Sequence, residues 1–132
     1  MNNKIKIYLA STIYEETEFD GQTWKSRFKE AMNILHIDHD CFDPDPKHEC
    51  DLTMVARDKA AIENSDIFVA YIEKTTVGTS MELYHAFLQN NIPIIVVCPN
   101  HIVEGNIWIE AHAHSIVSTV IDAVEQIGNL TF

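Results

Sequence analysis

Positive charge is scarce in this chain, and glycine is scarcer. Nine Lys and Arg stand against 20 Asp and Glu in 132 residues, a formal net charge of −11, and from Ile67 onward Lys74 is the only Lys or Arg. Nucleic acids are bound through a basic footprint that releases counterions, so neither duplex nor single strand is an expected partner, and anionic membrane surfaces are unsuited as well. The four glycines form no G-x-G-x-x-G and no G-x-x-x-x-G-K-[ST]. A dinucleotide or NTP cradle is therefore not expected. Cys41, Cys50 and Cys98 fall at no metal-ligand spacing, and an odd number of thiols fits small buried hydrophobes in a reducing cytoplasm. Apolar runs such as residues 92–98 are far too short to cross a bilayer. Residues 1–6 lead into only about six apolar or small residues, so no signal peptide is expected.

What is present is an ordinary globular composition, 46% apolar and 9% aromatic. One compact domain over 1–132 follows. Residues 4–10 (KIKIYLA) alternate and then turn solidly apolar, as a strand entering a core does. Residues 11–21 are polar and acidic, and 23–35 place Trp24, Phe28, Met32 and Leu35 three or four apart, the spacing of an amphipathic helix. A weak strand over 36–42 ends at Asp43-Pro44-Asp45-Pro46, because each proline restricts the residue before it. A helix is expected over 51–64 with Leu52, Val55, Ala56 and Ile62 on one face. The runs at 66–72 and 92–98 read as strands buried on both sides. Helices are expected over 78–90 and 119–127, a helical turn at 106–111 and a short strand at 115–117. Strands alternating with helices in this way predict right-handed crossovers and a three-layer α/β sandwich, flavodoxin-like or Rossmann-like, around a parallel sheet of about five strands.

Ligands of open α/β sheets sit beyond the carboxyl ends of the strands, which here means the segments 10–21, 43–51, 73–82 and 99–106. Gly78-Thr79 breaks a strand and opens a helix whose first turn carries Glu82. The helix N-terminus favours the ionised form of a carboxylate there. The plainer reading is a glutamate of the kind common at helix starts.

The wider pattern adds to this. Ser65-Asp66 opening an apolar strand with Ala70-Tyr71, a short polar loop, Gly78-Thr79-Ser80-Met81-Glu82-Leu83, a helix with Ala86 and an apolar strand closed by Pro99 resemble the nucleoside 2-deoxyribosyltransferase family. Ile7-Tyr8-Leu9-Ala10-Ser11, Phe42-Asp43-Pro44 and Asp58 extend the resemblance over essentially the whole chain. It implies that Glu82 attacks the anomeric carbon of a 2'-deoxynucleoside, forming a deoxyribosyl ester that a second base resolves, with no metal or organic cofactor. It further implies that Asp58 handles protons or positions base or sugar, and that the Tyr8 hydroxyl orients Glu82. Ser11, Asp43, Thr76, Gly78 and Met81 would line the substrate. Asn106 would reach a neighbouring subunit's site and hold the 5'-hydroxyl, which makes the protein a homo-oligomer with shared sites. Read without the resemblance, Asp58 is a solvated acid on an acidic helix and Tyr8 a core residue.

One position departs from the family pattern. Thr76 stands where the transferases carry an aspartate that protonates the departing base, and a threonine cannot act as a general acid near neutral pH. Hydrolysis, with water as acceptor, is the neighbouring activity. A related N-glycosidase reading, on 2'-deoxynucleoside 5'-monophosphates, needs a cradle for a dianion, whereas residues 11–21 carry four acids and no base. The expected substrate is therefore the neutral nucleoside, with Ser11 and Thr12 as the hydroxyls that would serve a phosphate. A nucleoside sensor without turnover is a reading of another class. A metal site drawn from Asp38, His39, Asp40, Asp43, His112 and His114 lacks any H-E-x-x-H or paired C-x-x-C, so no metal is expected. His85, three residues after Glu82, is either a supporting partner of the site or core.

Overall fold

A computed structural model describes residues 4–11, 18–42, 52–74 and 76–130, with 18–23 described by backbone alone. The elements alternate strictly: β1 (Ile5–Ser11), α1 (Glu18–Ile34), β2 (His39–Phe42), α2 (Leu52–Glu63), β3 (Ile67–Tyr71), α3 (Val77–Phe87), β4 (Ile94–Val97), α4 (Ile107–His112), β5 (Ser115–Val117) and α5 (Val120–Gly128). The five strands form one parallel sheet in the order β2-β1-β3-β4-β5. This is the flavodoxin-like order, whose crevice lies where connections leave in opposite directions from β1 and β3.

The pleat sorts side chains to the two faces. Ile7, Leu9, Ile67, Val69, Ile95 and Val97 pack with Trp24, Phe28 and Met32 of α1 and Ala123, Val124 and Ile127 of α5. Their alternates Tyr8, Ala10, Phe68, Ala70, Ile94 and Val96 pack with Ile62 of α2, Leu83 and Ala86 of α3 and Ile109 of α4. Every residue of β3 and β4 is buried, so these strands carry no polar alternation to read. Among the described residues no helix is long and apolar enough to cross a membrane.

Three expectations are corrected. Helix α1 starts at Glu18 rather than at residue 23. Its acidic first turn has no apolar periodicity to announce it. Strand β2 is only four residues long. On α2, Leu52, Val55 and Ala56 are exposed, while Asp58 and Ile62 face inward. At roughly 100° per residue Leu52 and Ala56 turn about 80° and 120° away from Ile62, so the apolar residues of this helix do not make one core stripe. Asp43, Thr12 and the rest of the segments 12–17 and 43–51 lie outside the described residues.

Candidate active site

Three neighbouring strands place an aromatic ring in one row. Tyr8 of β1 is in register with Phe42 of β2 and with Phe68 of β3. Its ring stacks on both, with centroids 5.3 and 5.5 Å apart. The sandwich fixes the buried ring and aims the phenol at α3. There the Tyr8 hydroxyl donates a 2.9 Å hydrogen bond to Oε2 of Glu82.

Helix α3 is capped by Thr76, whose side-chain oxygen accepts from the Thr79 amide at 3.4 Å. The helix begins at Val77, which puts Glu82 in the second turn and not the first. The N-terminal dipole fades within the first turn and does not govern this carboxylate. Burial does: it pushes the Glu82 carboxyl up to about 7. The Tyr8 hydrogen bond and the Lys25 charge pull in the other direction, and the Asp58 charge adds to the rise. The expected stabilisation of the ionised form at a helix start is thus replaced by the opposite shift. Burial, followed by the charges of Glu82 and Asp58, also drives the Tyr8 hydroxyl upward, so it stays protonated and remains a donor.

Asp58 reaches this cluster from α2 and is only 7% exposed. Its Oδ1 accepts from both Nε and Nη2 of Arg57 at 3.2 Å. Arg57 thus partners a buried carboxylate whose charge acts on both Glu82 and Tyr8. Tyr8 of β1 and Glu82 of α3 are thus bonded, and Asp58 of α2 acts on both through its charge.

The remaining expected residues are distributed around them. Ser11 ends β1, half-buried and in register with Tyr71. Thr76 caps α3, Gly78 stands in its first turn, and Met81 is largely exposed. A Cβ added to Gly78 would meet nothing within 4 Å, so packing within the chain does not demand glycine there. The Asn106 side-chain oxygen accepts from the amides of Trp108 and Ile109, each at 3.1 Å, and caps α4. His85 turns away from Glu82, and its Nε2 lies 2.9 Å from Oε2 of Glu63 on α2.

Sequence reasoning missed the ring sandwich, the Arg57 clamp and the Lys25 charge. Phe42 ends β2 and Phe68 is the second residue of β3, so their alignment with Tyr8 becomes readable only once the register is known. Among the described residues no group of three metal-ligating side chains is gathered. The described residues lining a cleft on the other helical layer, Arg27, Tyr71, Pro99, Ser118, Thr119, Val120 and Ile121, include no carboxylate.

Neither a protein-family model nor a curated protein matches the chain by sequence. Solved structures do match by shape. A CMP N-glycosidase of Clostridium botulinum superposes with a TM-score of 0.63 at 12% identity, over 95% of this chain and 99% of that one. A 2-deoxyribosyltransferase from Leishmania mexicana gives 0.60 at 16% identity, over 76% and 70%. The fold of this protein is the fold of those two enzymes. A pilus assembly-related protein from Burkholderia pseudomallei K96243 shares it too, at 0.56 and 9% identity over 92% and 87%. The fold alone thus spans unlike roles, and the choice among them rests on the side chains just described.

Proposed function

We propose that this protein belongs to the nucleoside 2-deoxyribosyltransferase family and exchanges the base of 2'-deoxynucleosides through a covalent Glu82 intermediate. The observation that carries the reading is the Tyr8–Glu82 hydrogen bond at 2.9 Å beside a buried Asp58. A half-buried acid held by the Tyr8 phenol suits a nucleophile better than a scaffold group.

In the first step an ionised Glu82 oxygen bonds to the anomeric carbon. The carbon–nitrogen bond breaks, and its electron pair leaves with the base, which takes up a proton. In the second step a nitrogen of another base bonds to the same carbon and gives up its proton, replacing the one consumed in the first step, and the ester bond returns its pair to Glu82. Both steps pass through an oxocarbenium-like state, which the carboxylate stabilises on one face. Tyr8 keeps one Glu82 oxygen fixed so that the other is free to attack. Asp58, whose charge acts on Glu82, takes the part in proton handling, and Thr76 supplies a hydroxyl only. The reaction calls for no metal and no organic cofactor. Substrates are a small deoxynucleoside and a free base, and the protein works in the cytoplasm as an assembly of identical chains that share sites through Asn106.

A second reading, an N-glycosidase that uses water as acceptor, is favoured by one specific observation. Thr76 is bound up in capping α3 and offers no acid to a departing or incoming base. The near-complete mutual coverage with a CMP N-glycosidase supports the same reading and keeps 5'-monophosphates among the substrates to test. Incubating the protein with each deoxynucleoside and deoxynucleotide, with and without a second free base, and separating products by chromatography distinguishes the two. New nucleoside means transfer, and free base alone means hydrolysis. No product from any substrate would leave a non-catalytic binding role and overturn the proposal.

A further inference from the structure

His85 stands three residues after Glu82 on α3 and takes no part in the Tyr8–Glu82 contact, yet it is held. Its Nε2 lies 2.9 Å from Oε2 of Glu63, the last residue of α2. A carboxylate oxygen only accepts, so Nε2 carries the proton and His85 is the donor. The backbone at the same residue is engaged as well, since the Gln89 side-chain amide donates to the His85 carbonyl at 2.9 Å.

Glu63 is misplaced by the rule of its own helix. A carboxylate is disfavoured at a helix C-terminus, and the last turn of α2 contains no basic residue. The compensation comes from the next helix. The His85 side chain, 20% exposed, reaches across to a Glu63 side chain that is 48% exposed. A pair this open adds little to global stability, so its consequence is geometric.

Helix α2 leads into β3 and α3 into β4 of one parallel sheet, and both pack on the same face, so they run side by side in the same direction. Glu63 lies five residues beyond Asp58, and His85 three beyond Glu82, rises of about 7.5 and 4.5 Å along the two helices. The bridge therefore ties α2 to α3 about a turn past the two acids they carry. Ile62, beside Glu63, packs in the same core cluster as Leu83 and Ala86.

We propose that Glu63 and His85 are a positioning pair, which holds α2 against α3 at the separation that sets how strongly Asp58 acts on Glu82. Neither residue touches the reacting atoms. The inference rests on Glu82 as the reacting group and adds a control on it from outside the site. Among the described residues, Tyr8 of β1, Asp58 of α2 and Lys25 of α1 act on the Glu82 carboxyl, and neither His85 nor Glu63 is one of them. A change at Glu82 on breaking the bridge is thus carried by helix placement and not by the lost charge. Burial and the Asp58 charge raise the Glu82 carboxyl, and both weaken when the helices part.

The test follows the Glu82 side-chain carboxyl of the full chain by carbon NMR across pH, a readout that requires no turnover. Glu63→Ala and His85→Ala should each lower its midpoint by about half a pH unit or more, with melting temperatures close to wild type. Glu63→Gln keeps an oxygen that accepts from Nε2 and should leave the midpoint in place. In an Asp58→Asn background, Glu63→Ala should shift it by less, because one of the two raising causes is already gone. In the unmodified chain, nitrogen shifts of the His85 ring should place the proton of the neutral ring on Nε2, an observation that needs no variant. Midpoints in Glu63→Ala and His85→Ala equal to wild type overturn the inference. So do a Glu63→Gln midpoint moved as far as that of Glu63→Ala, an undiminished shift in the Asp58→Asn background, or a neutral His85 with its proton on Nδ1. If no deoxynucleoside is cleaved, Glu82 as a nucleophile fails, while the titrations still judge the bridge.

Discussion

The phenol of Tyr8 and the carboxylate of Glu82, 74 residues apart in the chain, are joined by a 2.9 Å hydrogen bond with the phenol as donor. Tyr8 cannot swing away, because Phe42 and Phe68 hold its ring on either side. The bond gives the half-buried carboxylate a fixed partner at Oε2, and among the described residues no hydrogen bond engages its second oxygen. Four expectations follow from this arrangement and from the caps around it.

In the proposed mechanism Glu82 is ionised when it attacks, and its carboxyl is pushed up to about 7. The pH profile of kcat/KM should therefore rise through an apparent value near 7 and level off above it. A profile already flat from pH 5 upward would show that no such carboxyl limits the reaction.

Stability should run the other way. A carboxyl raised to about 7 in the folded state, against about 4.3 in the unfolded chain, binds more protons when folded across that interval. Folding is thus favoured below pH 4, loses stability as pH rises to 7, and changes no further above. Glu82→Gln removes the ionisation, so it should be more stable than wild type at pH 8 by roughly 1–3 kcal/mol and nearly equal to it at pH 4. Thermal melts of both proteins at the two pH values measure the difference.

Tyr8→Phe keeps the ring stack and deletes the donor. Loss of a hydrogen bond to a charged group should lower kcat/KM by about 10- to 100-fold and move the acid limb of the profile upward, since the bond favours ionised Glu82. Asp58→Asn should move that limb downward, because the Asp58 charge opposes Glu82 ionisation. If Asp58 also handles the proton, the plateau should fall by 10²-fold or more. A shifted limb with an unchanged plateau would reduce Asp58 to an electrostatic neighbour.

Thr76→Ala removes the α3 cap and should cost about 1 kcal/mol in denaturant unfolding, whereas Thr76→Asp keeps a capping oxygen and should cost little. If the missing acid limits base exchange, Thr76→Asp should also raise transfer relative to hydrolysis. Equal stability of the two variants would show that the 3.4 Å contact from Thr79 contributes nothing.

Much of the architecture was legible from period alone. Ile7 and Leu9 against Tyr8 and Ala10 announce a strand with two buried faces, and the solid runs at β3 and β4 announce a parallel sheet. The flavodoxin-like layering follows from their alternation with helices. Tyr8, Asp58 and Glu82 are named together only through the family resemblance, since the residues read alone make Tyr8 core and Asp58 a solvated acid. Their chemistry was not legible. The charge state of Glu82 depends on how deeply α3 sinks against the sheet, a tertiary property, and a helix-start argument gave the wrong sign. On α2 the apolar residues read as core because hydrophobicity carries no record of what covers it. Asp58 took the inward position that Leu52, Val55 and Ala56 were expected to share, and Arg57 next to it supplies the compensation that makes a buried acid tolerable.

The central claim is a covalent bond at Glu82, and peptide mass spectrometry of acid-quenched protein mixed with excess 2'-deoxynucleoside examines it directly. The predicted result is a mass increase of one deoxyribosyl unit on the peptide containing Glu82, absent in Glu82→Gln, together with loss of turnover by several orders of magnitude in that variant. Turnover in Glu82→Gln within about tenfold of wild type, or steady product release with the adduct on a different peptide, would contradict it.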